Sequence, residues 1–375
     1  MFYKNARIFC SDFQFHIGAF EVVDGKFGAV LPQNVPAEAV DLQGATVIPG
    51  LIDCHIHGSV LGDVMDCDFE GLVRMAQYLA QNGITSFVPT TATIDYSTLE
   101  EAFANVKVLH DRWSIGHARP LGIYMEGPYF SPEKKGGQHP DHLKDPDFSG
   151  FRNLFDGCGG LIAIVGIAPE LPGALDFIRE ASKLCAVSVA HTATDYETAK
   201  AAFAAGATQL THLFNGMCGI HHREPSVIPA AVENSNVRAE LICDGIHVHP
   251  ACIRLAFSMF GSDRIVLISD GLRACGMPDG EYFVGGQRAF VSGGVGRLPD
   301  GTITGAATNL FQGMRNAIRF GIPECDAIRA ATYNPACAIK MQDKLGAIST
   351  GLIADFVICR NDYTDIRVFQ AGIEL

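Results

Sequence analysis

Hydrophobic and polar positions alternate in two different ways along this chain, and the change falls near residue 50. Before it, short apolar runs such as ARIFC and ATVIP are separated by turn residues, a pattern typical of β-strands. After it, an apolar run of strand length is repeatedly followed by a stretch with helical spacing, as in ITSFVPTTAT and then STLEEAFANVKVLHDRW. Eight such units fit between residues 51 and 343. We therefore predict an α/β fold with a (β/α)8 TIM-type barrel.

The chain ends on another strand pattern, GLIADFVICRND, which follows the last helical region. A strand at this point can return to the N-terminal strands and pair with them. We expect residues 1–50 and 344–375 to form a small β-sandwich domain built from both chain ends. Residues 51–343 would then form the catalytic barrel domain, with its chemistry at the C-terminal ends of the strands.

Composition narrows the range of functions. The formal net charge is -13, so nucleic acid would be repelled, and an anionic substrate would need a local basic patch. The twelve cysteines include no C-x-x-C pair, and several lie inside apolar runs such as LCAVSV and LICDG. This usage is typical of reduced thiols in a cytoplasmic protein. No apolar run reaches 18 residues and no signal-peptide pattern opens the chain, so we expect no membrane span.

Histidines and carboxylates stand at the predicted C-terminal ends of the barrel strands. In PGLIDCHIHG, His55 and His57 are two apart, so in a strand both side chains project to one side and Ile56 to the other. The residues at the other strand ends are Glu126, His191, His212, His247 and Asp270. Because these ends meet at one mouth of a barrel, four imidazoles and two carboxylates are expected to converge there, with His247 beside them. Such a set suits Zn²⁺ or Fe²⁺, and no cysteine stands at these ends to indicate structural zinc.

Longer motifs carry a resemblance to a known family. MEGPYFSPEKKGGQHP at 125–140, THLFNGM at 211–217, CDGIHVHP, ISDG and ITGAATNLFQGMRN follow one another along nearly the whole chain. Together with H-x-H they resemble the N-acetylglucosamine-6-phosphate deacetylases of the amidohydrolase superfamily. The resemblance implies a metal-dependent hydrolase of amino-sugar catabolism. Its reaction would convert N-acetyl-D-glucosamine 6-phosphate to D-glucosamine 6-phosphate and acetate.

The resemblance also implies roles for individual residues. The metal ligands that it implies, for one or two divalent ions (Zn or Fe) per subunit, are His55, His57, Glu126, His191 and His212. Asp270 would take a proton from the attacking water and return one to the departing amine. His247 would donate to the carbonyl oxygen. The implied substrate-binding residues are Gly137, Asn215, Gly216, Arg223, His247, Gly305 and Ala306.

The loop GIHHREPS, residues 219–226, supplies His221, His222 and Arg223. In isolation it is typical of a solvated loop, but it follows strand six at the catalytic rim. Arg223 matches the family's phosphate-binding arginine, and arginine binds phosphate in a bidentate manner. In that family this arginine reaches the site of a neighbouring subunit, so the resemblance implies a homodimer. Lys134 and Lys135, in EKKGG, are weaker candidates and are typical of a solvated turn.

Two positions depart from the family pattern. Some members have Gln-x-Asn in place of H-x-H and hold a single metal, whereas both imidazoles are present here, which favours room for a second ion. Many members have His and then Asn where this chain has Gln138 and His139, so the contacts of this part of the loop are left open. The carboxylated lysine of the wider superfamily has no counterpart in GLIAIVGIAPE, and Glu126 would take its place.

Three alternatives stay open. N-acetylgalactosamine 6-phosphate differs from the gluco substrate only at the sugar 4-hydroxyl, and one sequence does not show which side chain contacts it. A metal-dependent hydrolase of cyclic amides is more distant, and the phosphate-binding arginine argues against it. A non-catalytic barrel serving as an assembly protein is the third, although such a protein would be free to lose ligands that are all present here.

Overall fold

The computed structural model describes residues 1–284 and 287–375, in which strands and helices alternate over most of the chain. The strands are β1 (Phe2–Phe9), β2 (Phe15–Val23), β3 (Lys26–Val30), β4 (Val40–Asp41), β5 (Thr46–Pro49), β6 (Leu51–Ile56), β7 (Gly58–Ser59), β8 (Gly62–Asp63), β9 (Ile84–Pro89), β10 (Arg119–Pro120), β11 (Ile123–Met125), β12 (Ile162–Ile167), β13 (Ala186–Val189), β14 (Gln209–Leu210), β15 (Arg238–Ile242), β16 (Ile265–Ile268), β17 (Gly280–Val284), β18 (Gln287–Ser292), β19 (Val295–Arg297), β20 (Ile303–Ala306), β21 (Phe356–Cys359), β22 (Arg367–Gln370) and β23 (Ile373–Glu374). The α-helices are α1 (Phe69–Gln81), α2 (Tyr96–Asp111), α3 (Phe148–Gly157), α4 (Ala174–Ala181), α5 (Tyr196–Ala205), α6 (Val227–Glu233), α7 (Pro250–Phe260), α8 (Leu310–Arg319), α9 (Glu324–Ala331) and α10 (Tyr333–Ala338).

Eight parallel strands follow one another around the barrel in the order β6, β9, β11, β12, β13, β14, β15, β16. β6 pairs with β9, and β11 to β16 pair in succession. Isolated parallel bridges join the two groups, between Thr90 and Tyr124 on one side and between Ile56 and Gly271 on the other. This is the barrel-like arrangement that the hydrophobic pattern predicts, and it brings the C-terminal strand ends to one mouth.

Aspartates begin several of the helices that surround these strands. The capping residues of α1, α2, α3 and α5 are Asp68, Asp95, Asp147 and Asp195. Each carboxylate accepts a backbone N–H of the first turn, an interaction worth about 1 kcal/mol. The apolar helix faces pack against the outside of the barrel, where Leu79, Phe87 and Phe103 belong to one buried cluster. None of the described helices is long and apolar enough to cross a membrane.

The segment between β16 and α8 forms an antiparallel sheet, β17 to β20, where the sequence predicts an irregular Gly-rich stretch. The prediction is wrong here because these strands are short and mix buried with exposed side chains, so they leave only a weak apolar pattern. Glu281 pairs with Phe290 across β17 and β18, and both side chains are exposed. Gln287 Nε2 donates to the carbonyl of Gly137 at 2.8 Å, which ties the sheet to the loop after β11.

The two chain ends share a second sheet, with the order β23-β22-β21-β5-β1-β2-β3 and with β4 beside β1. It has a hydrophobic cluster of its own, in which the rings of Phe20 and Phe356 lie 5.2 Å apart and those of Phe356 and Phe369 4.4 Å apart. The strand pairing gives one continuous sheet. The sandwich form and the division of the chain into two domains therefore stay predictions.

Candidate metal centre at the barrel mouth

His55 and His57 lie at the end of β6 and face the inside of the barrel. The register between β6 and β9 shifts between Asp53 and Ile56, and Ile56 joins the apolar cluster outside the barrel. The two imidazole rings lie 5.4 Å apart, centre to centre. The sequence prediction that both rings project to one side, with Ile56 on the other, is confirmed.

Glu126 follows β11 and lies between four imidazoles. Its Oε1 is 3.3 Å from His191 Nε2, 3.2 Å from His212 Nε2 and 3.6 Å from His55 Nε2. Its Oε2 is 3.3 Å from His57 Nε2. Two groups of potential ligand atoms therefore share this carboxylate, one with His55 and His57 and the other with His191 and His212, and within each group all atoms lie within 4.8 Å of one another.

The opposite nitrogen of each imidazole is occupied by an acceptor, which assigns its proton. Nδ1 of His57 donates to the Thr90 carbonyl at 3.2 Å, that of His191 to the Lys134 carbonyl at 2.9 Å, and that of His212 to the Asn215 carbonyl at 3.0 Å. Nδ1 of His55 donates to the Glu240 carboxylate at 2.8 Å.

In its neutral form each ring carries its proton on Nδ1 and directs the lone pair of Nε2 at the central carboxylate. A lone pair that faces a carboxylate oxygen at this distance needs a positive charge between the two atoms, which a proton on Nε2 or a bound metal cation can supply. His55 Nε2 is buried and has no hydrogen-bond partner among the described residues. The donor set of imidazole and carboxylate therefore fits one or two divalent ions such as Zn²⁺ or Fe²⁺.

Electrostatics at the centre favour positive charge. Burial lowers the pKa of His55, but Glu240 and Glu126 outweigh it and raise that pKa to about 9. Burial raises the pKa of Glu126, yet the surrounding imidazoles hold it well below its usual range. The negative charge that stabilises a protonated imidazole would also stabilise a metal cation.

Three of the predicted residues have strained backbones. His191, His212 and Asp270 have φ angles of 43°, 28° and 47°, in the left-handed region that residues other than glycine rarely adopt. Each such residue costs about 1–3 kcal/mol and persists only where its surroundings impose it. Gly216 has φ 61°, and a Cβ there would lie 2.9 Å from His191 Nδ1. The backbone at these strand ends is therefore strained, and the surrounding structure holds it in the conformation that directs these side chains to the centre.

Asp270 lies at the outer side of the centre. Its Oδ1 is 3.3 Å from His57 Nε2 and 3.6 Å from His55 Nε2. Its side chain is 12% exposed, against 2% for Glu126. Burial raises the pKa of Asp270, but the neighbouring imidazoles of His57 and His55 outweigh it and lower the pKa, so the group is a carboxylate at neutral pH. A carboxylate open to the cavity can accept a proton from a molecule bound there.

His247 projects from the loop after β15. Its Nδ1 donates to Asp244 Oδ2 at 2.6 Å, and its backbone N–H donates to Asp244 Oδ1 at 2.9 Å. Its Nε2 has no partner among the described residues, and the side chain lines the cavity. Burial raises the pKa of Asp244, but the bond from His247 outweighs it and lowers the pKa. The pair holds the ring in one orientation with Nε2 free.

A cavity of about 330 Å³ opens above the centre. Of the predicted substrate-binding residues, the structure brings five to its wall: Gly137, Asn215, Gly216, His247 and Gly305. Ala306 is behind the wall, fully buried, where its N–H donates to the Asp270 carbonyl at 2.9 Å. The strand β20 and the loop after β11 therefore lie side by side in the wall of the same cavity.

Arg223 does not lie at the cavity of its own chain. It is exposed, contacts His222 Nε2 at 2.7 Å and lines a separate hollow beside Asp195 and Tyr196. Its placement in a neighbouring subunit's site stays a prediction. Lys134, which the sequence assigns to a solvated turn, contributes to the centre through its backbone, because its carbonyl accepts the Nδ1–H of His191.

Sequence reasoning missed two contacts of this centre. Gln138 Nε2 donates to Glu126 Oε2 at 2.8 Å, and its Oε1 accepts the Thr93 N–H at 2.7 Å. Glu240 bonds His55 from the interior of β15. A signal for Glu240 existed, since it is an acid within the otherwise apolar AELIC, and charged residues are rarely fully buried unless paired.

Comparison with known proteins shows which family the chain resembles. The pattern of the Amidohydrolase family matches residues 46–371. The chain is 38% identical over 340 residues to the N-acetylglucosamine-6-phosphate deacetylase of Vibrio furnissii, covering 90% of this chain and 84% of that protein. It is 35% identical over 338 residues to the N-acetylgalactosamine-6-phosphate deacetylase of Escherichia coli O157:H7, covering 90% and 89%.

A solved structure agrees with these relatives. It is a mutant N-acetyl-D-glucosamine-6-phosphate deacetylase from Mycobacterium smegmatis in complex with N-acetyl-D-glucosamine-6-phosphate. The two structures superpose with a TM-score of 0.93 at 30% identity, over 100% of this chain and 98% of that one.

Proposed function

The chain belongs to the amidohydrolase family, and on that basis we propose that it hydrolyses N-acetyl-D-glucosamine 6-phosphate to D-glucosamine 6-phosphate and acetate. The observation that carries the proposal is Glu126 between four imidazoles, with Asp270 above it at the cavity. The relative from Vibrio furnissii supports the substrate. As a metal-dependent hydrolase, the chain is an enzyme, and a purely non-catalytic barrel is set aside.

The residues proposed to hold one or two divalent ions, Zn²⁺ or Fe²⁺, are His55, His57, Glu126, His191 and His212. A bound divalent ion supplies Lewis acidity, which lowers the pKa of water and polarises the amide carbonyl. The protein's own part is to hold five ligand side chains in place before the ion arrives, through their buried hydrogen bonds.

Asp270 is proposed as the proton carrier. An amide resists water, so the attacking water must lose a proton and the leaving nitrogen must gain one. The carboxylate of Asp270, held ionised by His57 and His55, takes the first proton and returns it to the amine. His247, oriented by Asp244, donates through Nε2 to the carbonyl oxygen when both of its ring nitrogens carry protons.

The substrate would bind along the cavity wall. Asn215 and the backbones at Gly137, Gly216 and Gly305 are proposed to contact the sugar, with Ala306 behind them. The phosphate is proposed to bind Arg223 from a neighbouring subunit in a homodimer. The exposure of Arg223, outside its own chain's cavity, supports this.

Two further proposals concern the whole chain. The twelve cysteines are free thiols, which supports a reducing compartment such as the cytoplasm. Residues 1–50 and 344–375 are proposed to form a β-sandwich-like domain apart from the barrel of residues 51–343, and the separate cluster of Phe20, Phe356 and Phe369 supports this.

A second candidate substrate is N-acetyl-D-galactosamine 6-phosphate, which the relative from Escherichia coli O157:H7 favours. The test is acetate release from both 6-phosphates and both unphosphorylated sugars, with metal analysis of the same preparation. We expect the highest kcat/KM for the gluco 6-phosphate. A higher kcat/KM for the galacto 6-phosphate would make it the preferred substrate in place of the gluco 6-phosphate. If neither 6-phosphate releases acetate, the proposed function is overturned.

A further inference from the structure

Glu240 is a carboxylate enclosed in the barrel beneath the metal centre. It is 1% exposed and lies in the middle of β15. Its Oε2 accepts the Nδ1–H of His55 at 2.8 Å and also the backbone N–H of His212 at 3.3 Å. One oxygen therefore touches a residue from each of the two ligand groups that share Glu126.

The other carboxylate oxygen has no assigned role. Glu240 Oε1 is buried and has no hydrogen-bond partner in the part of the chain that the structure describes. No lysine or arginine lies within 4 Å of the carboxylate in that same part, where the ion pair with His55 is its contact with a basic group. Burying a carboxylate that is so incompletely paired costs roughly several kcal/mol of folding free energy. A functional role would explain why this position is an acid.

His55 differs from the other three imidazoles in what holds it. His57, His191 and His212 give their Nδ1 protons to backbone carbonyls, whereas His55 gives its proton to a charged group. A bond to a carboxylate is shorter and about twice as strong as a neutral one. It also makes the far nitrogen a better electron donor to a metal.

Charge balance points the same way. Glu126 and Asp270 together neutralise one divalent ion, which leaves Glu240 as a third buried negative charge at the same centre. A second divalent ion near His55 would compensate it. In a centre with a single ion, the His55 imidazole and the His212 N–H would be the described groups that stabilise this charge in a low-dielectric interior.

We propose that Glu240 is a positioning residue, which holds His55 with Nε2 facing the centre and thereby determines whether the position formed by His55 and His57 binds a second divalent ion. The inference rests on the proposed metal centre and deepens it. It does not depend on the identity of the sugar, so it is tested without substrate.

The experiment is a calorimetric titration of metal-free protein with Zn²⁺. The unmodified protein should bind in two phases, and His55→Asn identifies the phase that needs His55. Glu240→Ala should weaken that phase by about 10–100-fold, the usual effect of removing such a partner, and leave the other phase in place. Glu240→Gln should weaken this phase of Zn²⁺ binding less than Glu240→Ala does, because an amide oxygen still accepts the Nδ1–H of His55.

A double variant separates positioning from a structural role. In the His55→Asn background, Glu240→Ala should have only a small further effect on Zn²⁺ binding, because the ring that it holds is gone and only the long bond from the His212 N–H is lost. The control is Gln209→Leu, which removes a polar side chain with 1% exposure in the neighbouring strand, bonded to the Ala338 carbonyl at 2.9 Å. It should leave both phases unchanged.

The inference is overturned if Glu240→Ala leaves the His55 phase intact, or if it weakens Zn²⁺ binding equally with and without His55. If the unmodified protein shows no phase that depends on His55, the second metal position fails as well, while deacetylation with one ion would stand. Should the Glu240 variants not fold, ¹⁵N NMR of the zinc-loaded unmodified protein decides. The His55 ring should keep its proton on Nδ1, and a proton on Nε2 contradicts the proposal.

Discussion

Gln138 and Glu126 are joined by a buried hydrogen bond of 2.8 Å, in which the amide of Gln138 donates to the carboxylate oxygen that faces His57. The amide oxygen of Gln138 accepts the Thr93 N–H, so its orientation is assigned and cannot reverse without losing both bonds. Glu126 thus has one oxygen near His191 and His212 and the other restrained from the loop after β11. The position where the chain departs from its family has a defined contact.

Gln138→Leu should therefore reduce activity. Leucine removes the donor to Glu126 and leaves the Thr93 N–H without its acceptor, and losses of this kind cost about 10–100-fold in metal affinity or activity. The measurement is kcat/KM together with bound metal per chain. Gln138→His, which introduces the residue common in the family, should retain more activity because an imidazole can still donate to Glu126. Equal, unreduced activity in both variants would show that the bond is dispensable.

Asp270→Asn should abolish most turnover and leave bound metal nearly unchanged. The amide cannot accept the proton of the attacking water, and loss of such a group costs about 10²–10⁴-fold. We expect the upper end because Asp270 serves both proton transfers. Rates under saturating substrate, compared with metal content, check this. Retention of more than a tenth of the activity would exclude Asp270 as the base.

Arg223→Ala should weaken kcat/KM for the 6-phosphorylated sugar and leave the slow reaction of the free sugar unchanged. A charge-assisted contact is worth about 1.5–3 kcal/mol, roughly one to two powers of ten. Arg223→Lys should recover part of the loss, since a point charge does not replace the bidentate contact. Equal losses for both sugars would mean a structural role.

Mixing subunits tests the proposed dimer. If Arg223 acts across the interface, Arg223→Ala and Asp270→Asn chains, each nearly inactive alone, should regain activity when combined. Each mixed dimer would then contain one site with an intact carboxylate and an intact arginine. Mixed dimers can be isolated by giving the two variants different affinity tags. If the isolated mixed dimers show no recovery of activity, Arg223 does not act in the site of the neighbouring subunit.

The number of metal ions should depend on the H-x-H pair. Protein loaded with excess Zn²⁺ or Fe²⁺ without oxygen and then desalted should hold more than one equivalent by elemental analysis. The double variant with His55→Asn and His57→Asn should fall to one, because Glu126, His191 and His212 still form a ligand group. A ratio of one in both proteins would exclude the binuclear centre.

A pH-dependent contribution to stability is expected from Glu324. It accepts from Arg7 of β1 and from Tyr363 Oη, at 3.1 and 2.5 Å, which links the terminal sheet to α9. Burial raises the pKa of Glu324, but these two partners outweigh it and lower the pKa. The stabilisation is therefore present above the unfolded value of about 4.3 and is lost as pH falls through the lower folded value.

Glu324→Gln should accordingly destabilise the protein by about 1 kcal/mol or less at pH 7, since both side chains of the ion pair are partly exposed. The difference from the unmodified protein should shrink in acid. Unfolding curves at pH 7 and near pH 3 measure it. Glu281→Gln, which breaks the exposed pair with Arg288, is the matched control and should have little effect. A difference that persists in acid would contradict the assignment.

The hydrophobic periodicity of the chain was sufficient to predict alternating strands and helices. The predicted ends of those strands then gave the candidate site residues: His55, His57, Glu126, His191, His212, His247 and Asp270. This works because the period of side chains along a strand or a helix is a local property. It also follows from barrel topology that residues at the ends of parallel strands meet. The sheet β17 to β20 was not predicted, since its short strands mix buried with exposed side chains and leave only a weak apolar pattern.

The partners of these side chains were decided by the tertiary structure alone. His55 and Glu240 are 185 positions apart and Gln138 and Thr93 are 45 apart, yet each pair forms a buried hydrogen bond. A residue's position in a strand shows which way its side chain points, but not which acceptor lies behind it. That acceptor depends on the packing of other strands. For this reason the ligands could be named from residue order, while the pairing of each ligand with the group that orients it could be found only where the barrel brings distant residues into contact.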